Sequence, residues 1–110
     1  MVKKPNKYSK YLFSKKLLLI DSEFYTLQLS AMATEHSVDV FIKSNFPEKN
    51  LFLYKTRRNG KALYIAIYGQ YSNYDAALKG AQKLPRSLSI MGSWIKTYAS
   101  VHQDIQLNND

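Results

Sequence analysis

The chain has 110 residues and no cysteine, which removes both a disulfide framework and thiolate chemistry. Its two histidines, His36 and His102, fall at a helix start and near the end of the chain. No His/Asp/Glu cluster has metal-ligand spacing. The four glycines form no phosphate-cradling loop, and no serine sits in a G-x-S-x-G elbow. No apolar run, residues 17–20 among them, approaches the roughly 20 residues needed to cross a bilayer. The start, Lys3-Lys4 followed by an interrupted apolar patch, makes a poor signal peptide. The chain is then either cytoplasmic or a piece of a longer protein whose targeting segment lies elsewhere. No catalytic residue, metal site or cofactor site is expected, and binding is the function class left.

What is present is an ordinary globular composition, 45% hydrophobic and 22% charged. This length supports one domain with a single modest core. Sixteen Lys and Arg against eight Asp and Glu give a formal charge of +8. Lys3, Lys4, Lys7, Lys10, Lys15 and Lys16 meet no acid in the first sixteen residues. The excess is thus concentrated in an N-terminal arm, and the remainder is only mildly basic. A basic balance suits an anionic partner such as nucleic acid, a membrane surface or an acidic polysaccharide, or simply a soluble surface.

Residues 1–8, with Pro5, read as a flexible lead-in, and residues 11–20 as a short amphipathic helix or an extended arm. Residues 24–31 alternate: Tyr25, Leu27 and Leu29 point one way, and Thr26, Gln28 and Ser30 the other. Thr34 offers an N-cap to a helix carrying Val38, Phe41, Ile42 and Phe46, which Pro47 ends. Leu51 to Arg58 forms a second strand, Asn59-Gly60 a type I′ hairpin turn, and residues 63–68 a third strand. In that strand Leu63, Ile65 and Ile67 are assigned to the core face, and Tyr64, Ala66 and Tyr68 to the other. Asn73 or Ser72 caps a second helix with Ala76, Ala77, Leu78, Ala81 and Leu84, stopped by Pro85. Residues 93–101 read as a last strand, with Trp94, Lys96 and Tyr98 facing away from the core. The tail from Gln103 reads as frayed.

The order βαββαβ predicts an α+β fold on the RNP or ferredoxin-like plan. A four-stranded antiparallel sheet carries two helices on one face, with the arm or short helix at the N-terminus. The other face is expected to be open and to carry Thr26, Gln28, Tyr64, Tyr68, Trp94, Lys96 and Tyr98. Aromatic rings on an open sheet stack on bases or on the C–H faces of sugars. Equally, these tyrosines could pack against the arm or one another. The RNA-binding signature of an RRM third strand is absent from Gly60-Lys61-Ala62-Leu63-Tyr64-Ile65-Ala66-Ile67.

Tyr25-Thr26-Leu27-Gln28-Leu29, Arg58-Asn59-Gly60, the run from Tyr64 through Gly69 to Tyr71, Ala76-Ala77, Leu84-Pro85 and Trp94 together resemble the SPOR domain. The resemblance spans about residues 24–105, leaving residues 1–23 as the arm and 106–110 as a tail. It implies a domain that binds septal peptidoglycan strands whose stem peptides have been removed. It also implies a periplasmic position at the septal ring, in a single-pass inner-membrane protein whose membrane segment is missing from this chain. Divisome proteins are further partners on this reading; nucleic acid is not expected. In the family the first-strand Gln and last-strand Trp belong to the binding face, and these match Gln28 and Trp94. The glycan-binding set expected here is Gln28, Ser30, Arg58, Tyr64, Tyr68, Trp94 and Lys96. Trp94 and Tyr64 would stack on sugar faces, Gln28 would both donate and accept, and Arg58 and Lys96 would meet carboxylates. Single-stranded nucleic-acid binding by the same face, or a protein-interaction module using the arm, are the alternatives.

Overall fold

A computed structural model describes residues 7–108. Residues 1–6 of the lead-in expected over residues 1–8, and the last two tail residues, lie outside the described residues. A 3₁₀ turn, Ser9–Tyr11, and α1, Ser14–Leu18, precede β1, Tyr25–Met32. Then follow α2, Glu35–Asn45, β2, Leu51–Arg58, and β3, Lys61–Tyr71. The chain continues with α3, Tyr74–Gln82, α4, Arg86–Ser89, β4, Trp94–Thr97, and α5, Tyr98–Leu107. The four strands form one antiparallel sheet in the order β2-β3-β1-β4. This is the expected α+β architecture.

Local chemistry explains most boundaries. Thr34 accepts from Ser37 N at 3.1 Å and Asn73 from Ala76 N at 2.8 Å, so each satisfies a donor that its helix leaves orphaned. Asn59 and Gly60 take φ of 54° and 77°, the left-handed pair a type I′ turn needs between β2 and β3.

The end of the chain departs from expectation. The last strand stops at Thr97, and residues 98–107 are helical. Thr97 caps α5 by accepting from Ser100 N at 3.2 Å. Tyr98, Val101 and Ile105, spaced by three and four residues, are all buried. A β-period reading put Tyr98 on the open face; a 3.6 period puts it in the core.

The sheet is covered on both sides. On one face Leu27, Leu29, Leu51, Leu53 and Ala66 pack with Val38 and Phe41 of α2, Ala77 of α3 and Leu88 of α4. On the other, Tyr54, Ile65 and Ile67 pack with Leu17 of α1 and with Tyr98, Val101 and Ile105 of α5. The arm links the two layers around the β2 edge. Tyr8 is buried in the first cluster, Leu12 bridges Leu53, Phe13 N donates to Leu53 O at 3.1 Å, and Leu17 lies in the second cluster. The free edge of β2 is thus occupied where another chain would otherwise pair.

Two bulges set the register. Leu27 lies opposite Tyr68 but Tyr25 opposite Tyr71, so β3 holds one extra residue there, beside Gly69 at φ 80°. The Gly69 carbonyl accepts from Thr26 Oγ1 at 2.8 Å and from the Tyr98 hydroxyl at 2.9 Å. A Cβ at Gly69 would also come within 2.7 Å of the Tyr71 ring. The second bulge lies in β1: Gln28 faces Ile67 and Ser30 faces Ala66, so Leu29 is the extra residue.

Two outcomes follow. Gly69→Ala should cost about 1–3 kcal/mol in urea denaturation, since left-handed backbone at a non-glycine carries that strain. Ile105→Ala should cost about 2–5 kcal/mol, the range for emptying a buried aliphatic site. An unchanged midpoint for Ile105→Ala would show that α5 is not part of the core.

Candidate functional site

The pairing of β1 with β4 assembles the site. Gln28 lies directly opposite Trp94, and Thr26 opposite Lys96. Directly opposed residues share a face. In the β2–β3 pair, Arg58 stands opposite Lys61 and Tyr54 opposite Ile65, on the same face as Gln28. Gln28, Ala31, Arg58, Trp94, Lys96 and Ser100 line a shallow concavity of about 430 Å³ at this end of the sheet. Trp94 is 60% exposed, whereas Gln28 is 6% exposed. A large exposed aromatic beside a nearly covered amide is a flat apolar plate with a directional polar group at its side.

Lys96 is not a free surface cation. Its Nζ donates to Gln28 Oε1 at 2.9 Å, to the Tyr54 hydroxyl at 2.9 Å, and to Asp104 Oδ2. The side chains of Lys96 and Asp104 are only 12% and 15% exposed. Asp104 also accepts from the Tyr54 hydroxyl at 2.6 Å, and its main-chain carbonyl accepts from Thr56 Oγ1 at 2.6 Å. Lys96 was expected to meet a ligand carboxylate, but Asp104 of α5 already supplies one. Among the described residues no acid lies within ion-pair distance of Arg58, the cation left to face the concavity.

Burial, and then the hydrogen bond to the Asp104 carboxylate, push the Tyr54 phenol far above its ordinary value of 10.0, against a small opposing pull from Arg58. Burial also raises the Tyr98 phenol. Both groups therefore stay neutral in the folded protein at pH values where the unfolded chain ionises.

Three expected residues lie elsewhere. Tyr68 stands opposite Leu27 and Tyr64 opposite Met32, so both belong to the α2–α3 side. Tyr64 meets Tyr8 of the arm edge-on, with ring centroids 5.4 Å apart. The aliphatic set Leu63, Ile65 and Ile67 faces α1 and α5 instead. Ser30 stands opposite Ala66, because the Leu29 bulge turns it to the helix side and brings Ala31 onto the Gln28 face. Conversely, Tyr54 and Asp104 were missed. Tyr54 sits in a strand read only for its hairpin, and Asp104 in a segment read as a frayed tail.

A larger concavity of about 750 Å³ lies between β1, α2 and α4, lined by Met32, Val40, Phe41, Ile90 and Met91 among others. It is mainly apolar and has no cluster of convergent charged groups, so the smaller site holds the richer chemistry. Among the described residues no group of His, Asp and Glu could hold a metal ion.

A family model described as the SPOR domain matches residues 21–97. The cell division protein DamX of Serratia marcescens is 28% identical over 82 residues, covering 74% of this chain and 38% of that protein. The chain thus spans well under half the length of this relative.

Because Tyr54 is held neutral, its stabilising contribution is complete below the ordinary tyrosine value and is lost as pH rises above it. Stability should fall from about pH 10 upward. Tyr54→Phe should flatten this fall while costing about 1–3 kcal/mol at pH 7, because Lys96 and Asp104 each lose a partner. Urea midpoints across pH 7–11 measure both effects, and an identical alkaline slope in the variant would contradict the assignment.

Proposed function

The chain belongs to the SPOR-domain family, and from that premise we propose that it binds peptidoglycan through the concavity at Gln28, Arg58 and Trp94. The observation that carries the proposal is the 60% exposure of Trp94 directly across from Gln28. Indole presents a flat face suited to the C–H face of a pyranose ring. Gln28 and Arg58 then sit at the plate's margin, where sugar substituents would project.

The finer reading is a glycan strand stripped of its stem peptides. Removing the peptide from N-acetylmuramic acid uncovers a lactyl carboxylate, which Arg58 is free to meet. Exposed ion pairs contribute about 0–1 kcal/mol, so stacking would dominate affinity and charge would mainly assist encounter. A stem peptide would collide with the face around Trp94, which gives a physical reason for selecting bare strands. The likeness to a cell division protein supports a place at the septum, and on this proposal the chain is a periplasmic domain of a longer protein held in the inner membrane. No described helix is long and apolar enough to cross a membrane. Other divisome proteins remain partners on this proposal. The role is recognition, with chemistry on the strand left to other proteins.

Co-sedimentation with sacculi, before and after amidase treatment, tests the proposal. Retention should rise after amidase treatment. Trp94→Ala should keep the fold and weaken retention roughly two- to tenfold, the expected loss for one aromatic contact. Tyr68→Ala should lower the melting temperature yet leave retention of the folded protein intact. Undiminished retention by folded Trp94→Ala would remove the basis of this reading, as would tighter binding to a single-stranded oligonucleotide than to sacculi.

A further inference from the structure

A primary amide both donates and accepts, so Gln28 by its chemistry alone could serve either purpose. The structure removes the ambiguity. Lys96 Nζ lies 2.9 Å from Gln28 Oε1, and an ammonium has three donors and no acceptor. Those three donors have three partners: Gln28 Oε1, the Tyr54 hydroxyl and Asp104 Oδ2. The amide is therefore oriented from inside the protein, with its oxygen turned to the ammonium. Gln28 Nε2 has no hydrogen-bond partner among the described residues, and the side chain lines the concavity. Arg58, on the same concavity, likewise donates and cannot accept.

We infer that Lys96 and Asp104 are positioning residues that lock Gln28 as a hydrogen-bond donor, so that this subsite takes an acceptor: a carboxylate or an amide carbonyl of an amino sugar. The inference rests on the glycan reading for the identity of the ligand, but the lock itself is a property of the unliganded protein. Asp104 has two consequences here. It neutralises Lys96, which leaves the ammonium no reason to turn toward a ligand. It also anchors that ammonium on α5, so the orientation of Gln28 depends on how α5 docks. A group that can only donate finds no acceptor on Arg58 and would have to share Gln28 Oε1 with the Lys96 ammonium.

Gln28→Glu is the decisive variant. It preserves shape and keeps an oxygen for Lys96, but replaces the outward N–H₂ with a second carboxylate oxygen. The variant should stay folded and bind amidase-treated sacculi roughly tenfold or more weakly, as loss of a donor to a charged group implies. The side-chain ¹H–¹⁵N pair of Gln28 supplies the independent readout. In the free wild-type protein it should be well separated from the free-glutamine position and should move when amidase-treated glycan fragments are added. Asp104→Asn should shift the pair toward the free-glutamine position and weaken retention. Wild-type-like retention by folded Gln28→Glu overturns the inference, as does a free-glutamine signal in the unliganded wild type. If the pair is well separated in the free protein and Asp104→Asn shifts it, but glycan fragments leave it unmoved and wild type is not retained on sacculi, the lock stands and the glycan reading fails.

Discussion

An ammonium withdrawn from water must be surrounded by acceptors, or the fold pays several kcal/mol for it. Lys96 meets that requirement with one group from each of three separate elements: Gln28 from β1, Tyr54 from β2 and Asp104 from α5. The cation itself comes from β4. One side chain therefore cross-links three of the four strands and the C-terminal helix. The arrangement also explains why α5 docks as it does. Tyr98, Val101 and Ile105 supply apolar attraction, but attraction of that kind is not directional. The Lys96–Asp104 pair, with Tyr54 donating to the same carboxylate, specifies one rotation of the helix over the sheet. Removing any one partner leaves the others buried and unsatisfied, so the cluster acts as a unit.

Covering both faces of the sheet has a functional consequence. Much of the face opposite α2 and α3 is covered by α1 and α5, and among the described residues the corner near Arg58, Ala31 and Trp94 holds a concavity. The arm meets the β2 edge at Leu53, through the Leu12 bridge and the Phe13 N–H. On the proposed reading, recognition is thereby confined to a small patch rather than a whole sheet face. A patch of this size suits a repeating polymer, of which one short stretch is enough for contact. It also places the proposed recognition residues Gln28, Arg58 and Trp94 on regular strands, whose geometry the surrounding core holds.

Several features were readable from residue order alone. Thr34, Asn73 and Asn59-Gly60 each name a local geometry that needs no tertiary information, and all three appear as read. The alternation of β1 correctly separated Leu27 from Gln28. The phase of β3 could not be read the same way. It lies between β2 and β1, and both its faces are buried, so tyrosines and aliphatics alternate without marking an inside and an outside. Only pairing decides, and pairing here passes through two bulges. Ser30 and Ala31 exchange faces for that reason. The helical spacing of Tyr98, Val101 and Ile105 behind the Thr97 cap was present in the sequence, but a strand reading that ran on to Val101 concealed it. The contact between Lys96 and Asp104 could not follow from a segment read as strand and tail.

One exposed indole, one oriented amide and one guanidinium without an acidic partner thus meet at a corner of the sheet. On the proposed reading a bare glycan strand lies across that corner. A ¹H–¹⁵N shift map of the chain titrated with amidase-denuded glycan, against intact muropeptides as control, tests this most directly. Changes should concentrate at Gln28, Ala31, Arg58, Trp94 and Ser100, with Tyr64 and Tyr68 silent and muropeptides weaker. Changes centred instead on the apolar groove of Val40, Phe41 and Ile90, or on the tyrosines of β3, would contradict it.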